Sequence, residues 1–171
     1  MGLIKSVRGF TPQWGDNCWF AENCALIGDV MMGNDCSIWF NAVIRGDVNS
    51  IRLGDRVNVQ DGAVIHCTFQ QSKTVVGDDV TIGHNAVVHG CTVGNQVLIG
   101  MGSIVMDHAH LEDQCLIAAG AVVLENMHCK SGFIYAGVPA KKVKSLSPEV
   151  FEGSVKRISH AYMKYAGWFK D

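Results

Sequence analysis

Residues 93–123 read VGNQVLIGMGSIVMDHAHLEDQCLIAAGAVV, and an aliphatic residue returns at every sixth position of this stretch. The same spacing continues outward, with short interruptions, through most of the chain. It gives eighteen positions, all of them apolar: Trp14, Phe20, Leu26, Met32, Ile38, Ile44, Leu53, Val59, Ile65, Val76, Ile82, Val88, Val93, Ile99, Val105, Leu111, Ile117 and Val123. The residue four places further on is usually small or β-branched. Such a pattern indicates one short structural unit repeated many times.

A period of six residues fits neither an α-helix nor a plain alternating strand. It fits a short strand followed by a corner, where Gly, Asn and Asp tolerate the tight turn. Three units close one triangular coil, and successive coils stack at roughly 4.8 Å, the spacing of paired strands. The large and the small residue of each unit then point inward and build a layered core. The sequence therefore predicts an all-β fold, a parallel β-helix of about six triangular coils.

The chain divides into four predicted segments: an N-terminal lead-in at 1–13, the hexapeptide-repeat β-helix at 14–128, an exit segment at 129–146 and a C-terminal α-helix at 147–171. Ser147 and Pro148 form a typical helix start, with serine as the cap and proline in the first turn. Five apolar residues then follow at the spacing of one helical stripe: Phe151, Val155, Ile158, Tyr162 and Tyr165. We expect this helix to pack back along the prism.

Composition narrows the functional classes. The 171 residues carry a formal net charge of −2 with charges evenly scattered, which argues against a nucleic-acid footprint. There is no apolar run long enough to span a membrane and no signal-peptide core at the N-terminus. Four of the seven cysteines occupy small inward positions and are expected to be core thiols. We therefore expect a cytoplasmic protein that binds neither nucleic acid nor membranes.

The repeat also fixes where the histidines lie. Every third unit shares a face, so Arg45, His66 and His89 form one column. His66 and His89 should then be about one strand spacing apart, close enough to share Zn²⁺ at roughly 2.0–2.1 Å from each nitrogen. Asp61 and His84 stack on the neighbouring face. Because one chain cannot easily aim all three rings at one point, the spacing suggests a metal held between subunits in a closed, cyclic assembly.

These residues belong to four segments that together resemble the γ-class carbonic anhydrase family: Arg45-Gly46-Asp47, Asn58-Val59-Gln60-Asp61, His66, and the stretch GHNAVVHG at residues 83–90. The resemblance covers nearly the whole chain. It implies the left-handed coil of the hexapeptide-repeat proteins and a homotrimer with metal sites at the subunit interfaces. It also implies that His66 and His89 bind from one subunit and His84 from the next, with Zn²⁺ the usual metal and Fe²⁺ or Co²⁺ in some members.

The same resemblance implies a lyase that reversibly hydrates carbon dioxide to bicarbonate by metal-bound hydroxide. In that family Gln60 would orient the hydroxide, and Arg45 and Asp47 would pair across the interface. Asp61 would support this network, with Asn58 nearby. Tyr162 resembles a tyrosine that lines the pocket in bacterial members, although its place in the apolar stripe fits packing equally well.

The chain departs from the archaeal prototype of the family at two places and resembles the bacterial subclass that lacks the acidic loop. Val48 stands where the prototype has a glutamate near the metal, and the loop at 67–75 is short and has no acidic residue. The prototype carries a proton-shuttle glutamate in that loop, and each turnover must release one proton. The sequence therefore predicts metal binding more strongly than rapid turnover. Cys67 and Cys91 lie close to the histidines in sequence, but their spacing does not mark them as ligands.

Other functions stay open from the residues alone. A hexapeptide acyltransferase that uses an acyl-CoA donor shares the fold but relies on one histidine as base. Metal-assisted hydrolysis of a CoA thioester is a related variant. A non-catalytic trimeric scaffold is the third alternative. His108, His110, His128 and His160 lack matching partners in the repeat, and we expect them to be structural or exposed.

Overall fold

In the computed structural model, which describes residues 2–169, the chain winds into a left-handed β-helix of about seven turns followed by a C-terminal helical segment. Residues 1, 170 and 171, at the outer ends of the predicted lead-in and helix, lie outside the described residues. Twenty strands build the β-helix: β1 Leu3–Lys5, β2 Gln13–Trp14, β3 Trp19–Phe20, β4 Ala25–Met32, β5 Ser37–Ile38, β6 Val43–Leu53, β7 Asn58–Val59, β8 Val64–His66, β9 Thr74–Val76, β10 Thr81–Ile82, β11 Val87–His89, β12 Thr92–Val93, β13 Leu98–Ile99, β14 Ile104–Val105, β15 His110–Leu111, β16 Leu116–Ile117, β17 Val122–Val123, β18 His128–Cys129, β19 Phe133–Ala136 and β20 Lys141–Ser145.

The strands form three faces. The first face contains β1, the first halves of β4 and β6, then β8, β11, β14 and β17. The second contains β2, the second halves of β4 and β6, then β9, β12, β15 and β18. The third contains β3, β5, β7, β10, β13, β16 and β19. All these neighbours pair in parallel, and among the strands of residues 2–169 only β20 lies antiparallel, against β19. Strands β1, β18 and β19 add the turn that the repeat did not predict.

Three corners join the faces. The first corner leads from the first face to the second, the second corner from the second face to the third, and the third corner from the third face back to the first. The inward side chains of all three faces meet in one continuous core. The largest fully buried members are Leu26, Ile38, Ile44, Ile51, Ile65, Ile82, Ile99, Leu111 and Ile117. Eight of these nine residues are positions that the six-residue spacing predicts; Ile51, next to an interruption, is the ninth.

The second corner is stabilised by a ladder of Asp and Asn side chains. Each Oδ1 accepts a hydrogen bond of 2.7 or 2.8 Å from a backbone N–H one turn earlier. The accepting side chains are those of Asn34, Asp55, Asp78, Asn95 and Asp113. A glycine precedes most rungs because an added Cβ would collide with the next Oδ1, as at Gly54 beneath Asp78. The ladder explains why Gly-Asp and Gly-Asn pairs recur in the repeat.

The C-terminal segment begins where the sequence predicts. The Ser147 hydroxyl accepts a hydrogen bond of 3.3 Å from the Val150 N–H, and the last helical residue is Gly167. The prediction of one regular α-helix is only partly right. Helical turns at Pro148–Val150 and Arg157–Gly167 flank a π-helical stretch at Phe151–Lys156. In that stretch the Arg157 N–H donates to the carbonyl of Glu152, five residues earlier, which is the pattern of a π-bulge.

The helix packs on the third face, as expected. Trp19, Trp39 and Ala166 are buried in a second apolar cluster outside the prism. The rings of Trp39 and Tyr162 meet edge to face with centroids 5.0 Å apart. Aromatic pairs of this kind add roughly 0.5–1.5 kcal/mol beyond their buried area. The cluster therefore fixes the helix over the early turns of the β-helix and places Tyr162 next to the third corner.

The cysteine side chains lie mostly inside the protein. Six of the seven cysteines are buried, and no disulfide joins cysteines within residues 2–169. Within the same residues, no helix combines the length and apolar character that crossing a membrane requires.

We predict that Asp78→Ala lowers the free energy of unfolding by about 1 kcal/mol, because the Asp55 N–H loses its acceptor. Urea unfolding at matched protein concentration measures the change. Asp78→Asn keeps an oxygen at the same position and is the matched control, so it should retain most of the stability. Equal losses in the two variants would contradict the ladder as the cause.

Candidate metal centre

His66 and His89 lie side by side at the first corner, as the column predicted. They end the neighbouring parallel strands β8 and β11, whose register pairs them directly. Their ring centroids are 5.1 Å apart, and His66 Nδ1 lies 3.1 Å from His89 Nε2. The in-register stacking of two parallel strands is the physical cause of this contact, since equivalent side chains on such strands point the same way.

A carboxylate holds the outer nitrogen of His66. Asp47 Oδ1 lies 3.0 Å from His66 Nε2, and Asp47 Oδ2 accepts a hydrogen bond of 2.6 Å from Arg45 Nη1. Burial alone would raise the pKa of Asp47, but the hydrogen bonds from Arg45 and His66 outweigh it and hold this pKa below its ordinary value. Asp47 is therefore an ionised acceptor that links Arg45 to the histidine pair within one chain.

A second carboxylate, which the repeat did not predict, holds His89. Asp107 Oδ2 lies 3.0 Å from His89 Nδ1, and the other oxygen of Asp107 accepts a short hydrogen bond from the Ser72 hydroxyl. The Thr68 hydroxyl also reaches this carboxylate, at 3.3 Å. Burial opposes ionisation of Asp107, but the Ser72 hydrogen bond and the nearby His89 lower its pKa on balance. Asp107 follows strand β14, one turn beyond His89, but it stands one residue past the column position, which Met106 occupies.

The hydrogen bonds fix where the ring protons lie. A carboxylate accepts hydrogen bonds, so His66 carries its proton on Nε2 toward Asp47 and His89 carries its proton on Nδ1 toward Asp107. The two remaining nitrogens, His66 Nδ1 and His89 Nε2, then face each other with their lone pairs. Burial is the largest effect on His66 and lowers its pKa, which favours the neutral ring. We refer to Arg45, Asp47, His66, His89 and Asp107 as the first-corner cluster.

His84 lies at the third corner, beside Asp61 as predicted. His84 Nδ1 is 2.8 Å from an Asp61 carboxylate oxygen, so this nitrogen carries the proton and Nε2 offers a lone pair. The Tyr162 hydroxyl lies 3.3 Å from His84 Nε2. Burial, followed by the negative charge of Asp61, raises the pKa of Tyr162. The C-terminal helix thus brings the Tyr162 hydroxyl to His84, while the Tyr162 ring packs on Trp39. These contacts fit both a residue that lines the pocket and a residue that packs the helix.

Gln60 and Asn58 belong to the same corner. Both side chains are buried, at 4% and 1% exposure. Gln60 Nε2 donates to Asn58 Oδ1 at 3.0 Å, and Asn58 Nδ2 donates to the Thr81 hydroxyl at 2.9 Å. This chain of amides fixes the orientation of Gln60. We refer to Asn58, Gln60, Asp61, His84 and Tyr162 as the third-corner cluster.

The two clusters do not meet within one chain. They lie at opposite edges of the first face, because β11 runs from the third corner to the first. His84 and Asn85 form the turn that precedes β11, and His89 ends that strand, so the two histidines lie beyond its opposite ends. Accordingly, residues 2–169 contain no group of three or more His, Cys, Asp or Glu side chains arranged around a single metal position.

The remaining candidates do not join either cluster. Cys67 and Cys91 point into the core, and burial raises the pKa of Cys91 to about 12, so both are poor ligands. His110 and His128 are exposed on the second face, where His128 pairs with Glu112 at 2.6 Å. The expectation that these two lack partners in the repeat is wrong, because they stack in register with ring centroids 5.0 Å apart. His160 is exposed on the C-terminal helix.

Comparisons with known families identify the repeat. Residues 90–125 match the family described as "Bacterial transferase hexapeptide (six repeats)". Residues 73–106 match the family described as "Hexapeptide repeat of succinyl-transferase". Both matches fall within the β-helix and include the histidine motif or its neighbouring turns. They agree with the six-residue spacing.

Three similar proteins extend the comparison to the whole chain. A carbonic anhydrase of Geobacillus kaustophilus is 40% identical over 98% of this chain and 91% of its own length. The mitochondrial gamma carbonic anhydrase 1 of Arabidopsis thaliana is 40% identical over 85% of this chain and 55% of its own length. The crystal structure of a putative acetyltransferase from Bacillus cereus has a TM-score of 0.95 at 35% identity, covering 98% of this chain and 96% of the other. The chain belongs to the γ-class carbonic anhydrase-like family of hexapeptide-repeat proteins.

Proposed function

We propose that this protein is a metal-dependent carbonic anhydrase-like lyase that reversibly hydrates carbon dioxide to bicarbonate in the cytoplasm. The observation that carries the proposal is that His66 Nδ1 and His89 Nε2 lie 3.1 Å apart with their lone pairs facing each other. Two such acceptors repel each other unless a proton or a metal ion lies between them. The carbonic anhydrase relatives supply the reaction class.

The donor set fits a divalent transition metal. Two nitrogens bound at 2.0–2.1 Å to one tetrahedral ion are about 3.3 Å apart, close to the 3.1 Å between the facing nitrogens of His66 and His89. Each outer nitrogen is bound by a carboxylate, as is usual for histidines that hold metals. His84 would be the third ligand through Nε2, which would exchange its contact with the Tyr162 hydroxyl for the ion. We propose Zn²⁺ first, and Fe²⁺ or Co²⁺ also suits imidazole ligands. When bound, such an ion makes water acidic enough to provide hydroxide near neutrality.

We propose a homotrimer as the assembly that completes the site. The outer surface of the first face is apolar and open, with Leu3 56%, Ile104 39%, Met106 37% and Leu124 45% exposed. Exposed apolar residues in one continuous strip favour burial against another subunit. Because the two clusters lie at opposite edges of this same face, three-fold rotation about an axis beside it would bring the first corner of one subunit to the third corner of the next.

The surrounding residues would position the reactants. Asn58 fixes the amide of Gln60, so its carbonyl oxygen is free to orient water at the His84 edge. Asp61 holds His84 in the tautomer that presents Nε2. Arg45 and Asp47 orient His66, and we propose that they also contact the neighbouring subunit. Carbon dioxide and water yield bicarbonate and one proton, and the loop at 67–75 has no carboxylate to remove that proton. We therefore propose a slow hydratase.

Acyl transfer is the second candidate. The matched families are named for transferases, and the Bacillus cereus neighbour is titled a putative acetyltransferase. In that case His84, oriented by Asp61, would be the single general base, and the facing pair of His66 and His89 would have no role in the chemistry. A hydrolase for CoA thioesters would combine this base with a metal.

One sample distinguishes these functions. The protein is purified anaerobically, its metal content is determined, and carbon dioxide hydration is assayed on the same preparation. We expect about one metal ion per chain and hydratase activity that a chelator abolishes. Acyl transfer that persists after chelation would favour the second candidate, and a metal-free trimer with a normal melting temperature and no hydratase activity would favour a scaffold.

We predict that His89→Ala loses the bound metal while circular dichroism still reports the β-helix, because the ring is half-exposed and outside the core. Metal content of the purified variant is the measurement. His110→Ala, an exposed histidine on the second face, is the control and should keep its metal. Stoichiometric metal in His89→Ala would refute the ligand assignment.

We predict that Asp107→Ala weakens metal binding by about 10- to 100-fold, because His89 loses the partner that fixes its tautomer and ring orientation. Competition with a chelator of known affinity measures this change, and the melting temperature shows whether the fold persists. Asp107→Asn keeps an acceptor oxygen, so its metal affinity should lie between those of the unaltered protein and Asp107→Ala. Unchanged affinity in Asp107→Ala, with the fold intact, would show that the carboxylate does not support the site.

A further inference from the structure

A groove of about 410 Å³ lies between the third face and the C-terminal helix. Its lining is mostly apolar, with Leu98 and Leu116 from the strands and Ile158 from the helix. Gly100 and Ala118 also line it, and their small size leaves the space open. Pockets that bind ligands of drug size usually have volumes of roughly 300–1,000 Å³ and mostly apolar walls, as this groove has. Carbon dioxide has three atoms, so the proposed substrate does not account for this volume.

The two ends of the groove differ in chemistry. His84, Gln60 and Tyr162 of the third-corner cluster lie at one end. Arg157 lines the groove one and a half helical turns away from Tyr162, which corresponds to about 7.5 Å along the helix. The Arg157 side chain donates a hydrogen bond of 2.7 Å to the Gly153 carbonyl, and it forms no ion pair with any residue within 2–169. A guanidinium without a carboxylate partner beside an apolar cavity is complementary to an anion with an apolar body.

We propose that this groove binds a monocarboxylate of medium length, with its carboxylate on Arg157 and its apolar chain directed toward His84. The inference rests on the proposed function at one point, because His84 belongs both to this groove and to the proposed metal centre. The ligand would occupy the approach to the metal centre from the third-corner side. A bound acid would therefore block access to that centre, so hydratase activity would fall as the concentration of apolar acids rises.

The position of the groove favours a small ligand over a second copy of the chain. The strip of exposed aliphatic residues suited to assembly lies on the first face, whereas the groove lies under the helix on the third face. The groove is also concave and bounded by a cation at one end. Both features match the shape and charge of an acid with an apolar tail.

Octanoate is the probe, and calorimetric titration of the intact protein measures its binding. We expect octanoate to bind and acetate to show no binding at the same concentrations, because acetate lacks the apolar chain. Arg157→Gln should weaken octanoate binding by about tenfold, the effect of losing one charged hydrogen bond. Ala161→Trp should abolish it by filling the groove. Lys164→Trp, on the same helix but outside the groove lining, is the control and should bind octanoate normally.

The same titration on His89→Ala separates this proposal from the metal proposal. Octanoate binding that persists in His89→Ala and falls in Arg157→Gln supports the groove, whatever the metal content. Binding that disappears in His89→Ala but persists in Arg157→Gln would show that the carboxylate goes to the metal centre, and would overturn the proposal. A change of oligomeric state in Ala161→Trp, measured by sedimentation, would assign the groove to a subunit contact and overturn it equally.

Discussion

In-register stacking of parallel strands is the constraint on which the rest of this structure depends. Each residue of a turn lies directly over its counterpart one turn earlier, so any side chain that recurs at the repeat spacing forms a column. Aliphatic columns make the core, Asp and Asn columns make the ladder of the second corner, and the column of Arg45, His66 and His89 supplies two of the three proposed metal ligands. A shift of one residue in the register would move His66 from the corner surface into the core.

The same stacking creates an electrostatic problem at the first corner. Two half-buried imidazoles are forced to within 3.1 Å, and carboxylates on both sides fix their protons on the outer nitrogens. The inner lone pairs therefore face each other, an arrangement that costs free energy unless a cation is bound. Asp47 and Asp107 thus favour metal binding in two ways: they orient the histidine rings, and they add negative charge near the proposed ion. In the third-corner cluster, Asp61 likewise orients a histidine ring, that of His84, and adds negative charge beside it.

The sequence predicted what depends on the repeat and missed what depends on irregular segments. The prism, its inward residues and the His66–His89 contact follow from spacing alone. Ile4, Cys129 and Tyr135 also point inward and add a turn, but Ile4 stands outside the spacing and the other two are not aliphatic. Asp107 was missed because its partner Ser72 lies in an insertion at 67–75, whose path no periodicity describes. The π-helical stretch and the groove depend on how the C-terminal helix packs, which a helical stripe does not specify.

We propose that each metal centre needs residues from two subunits, and mixed trimers test this requirement most directly. His84→Ala and His89→Ala subunits, each unable to bind metal alone, are unfolded together and refolded as a mixture. Random assembly of equal amounts gives an intact centre wherever a His84→Ala subunit supplies His66 and His89 to a neighbour that supplies His84. We predict that the mixture recovers about a quarter of the metal content of the unaltered trimer. Mixed trimers that remain free of metal, like the two parent variants, would contradict a site shared between subunits.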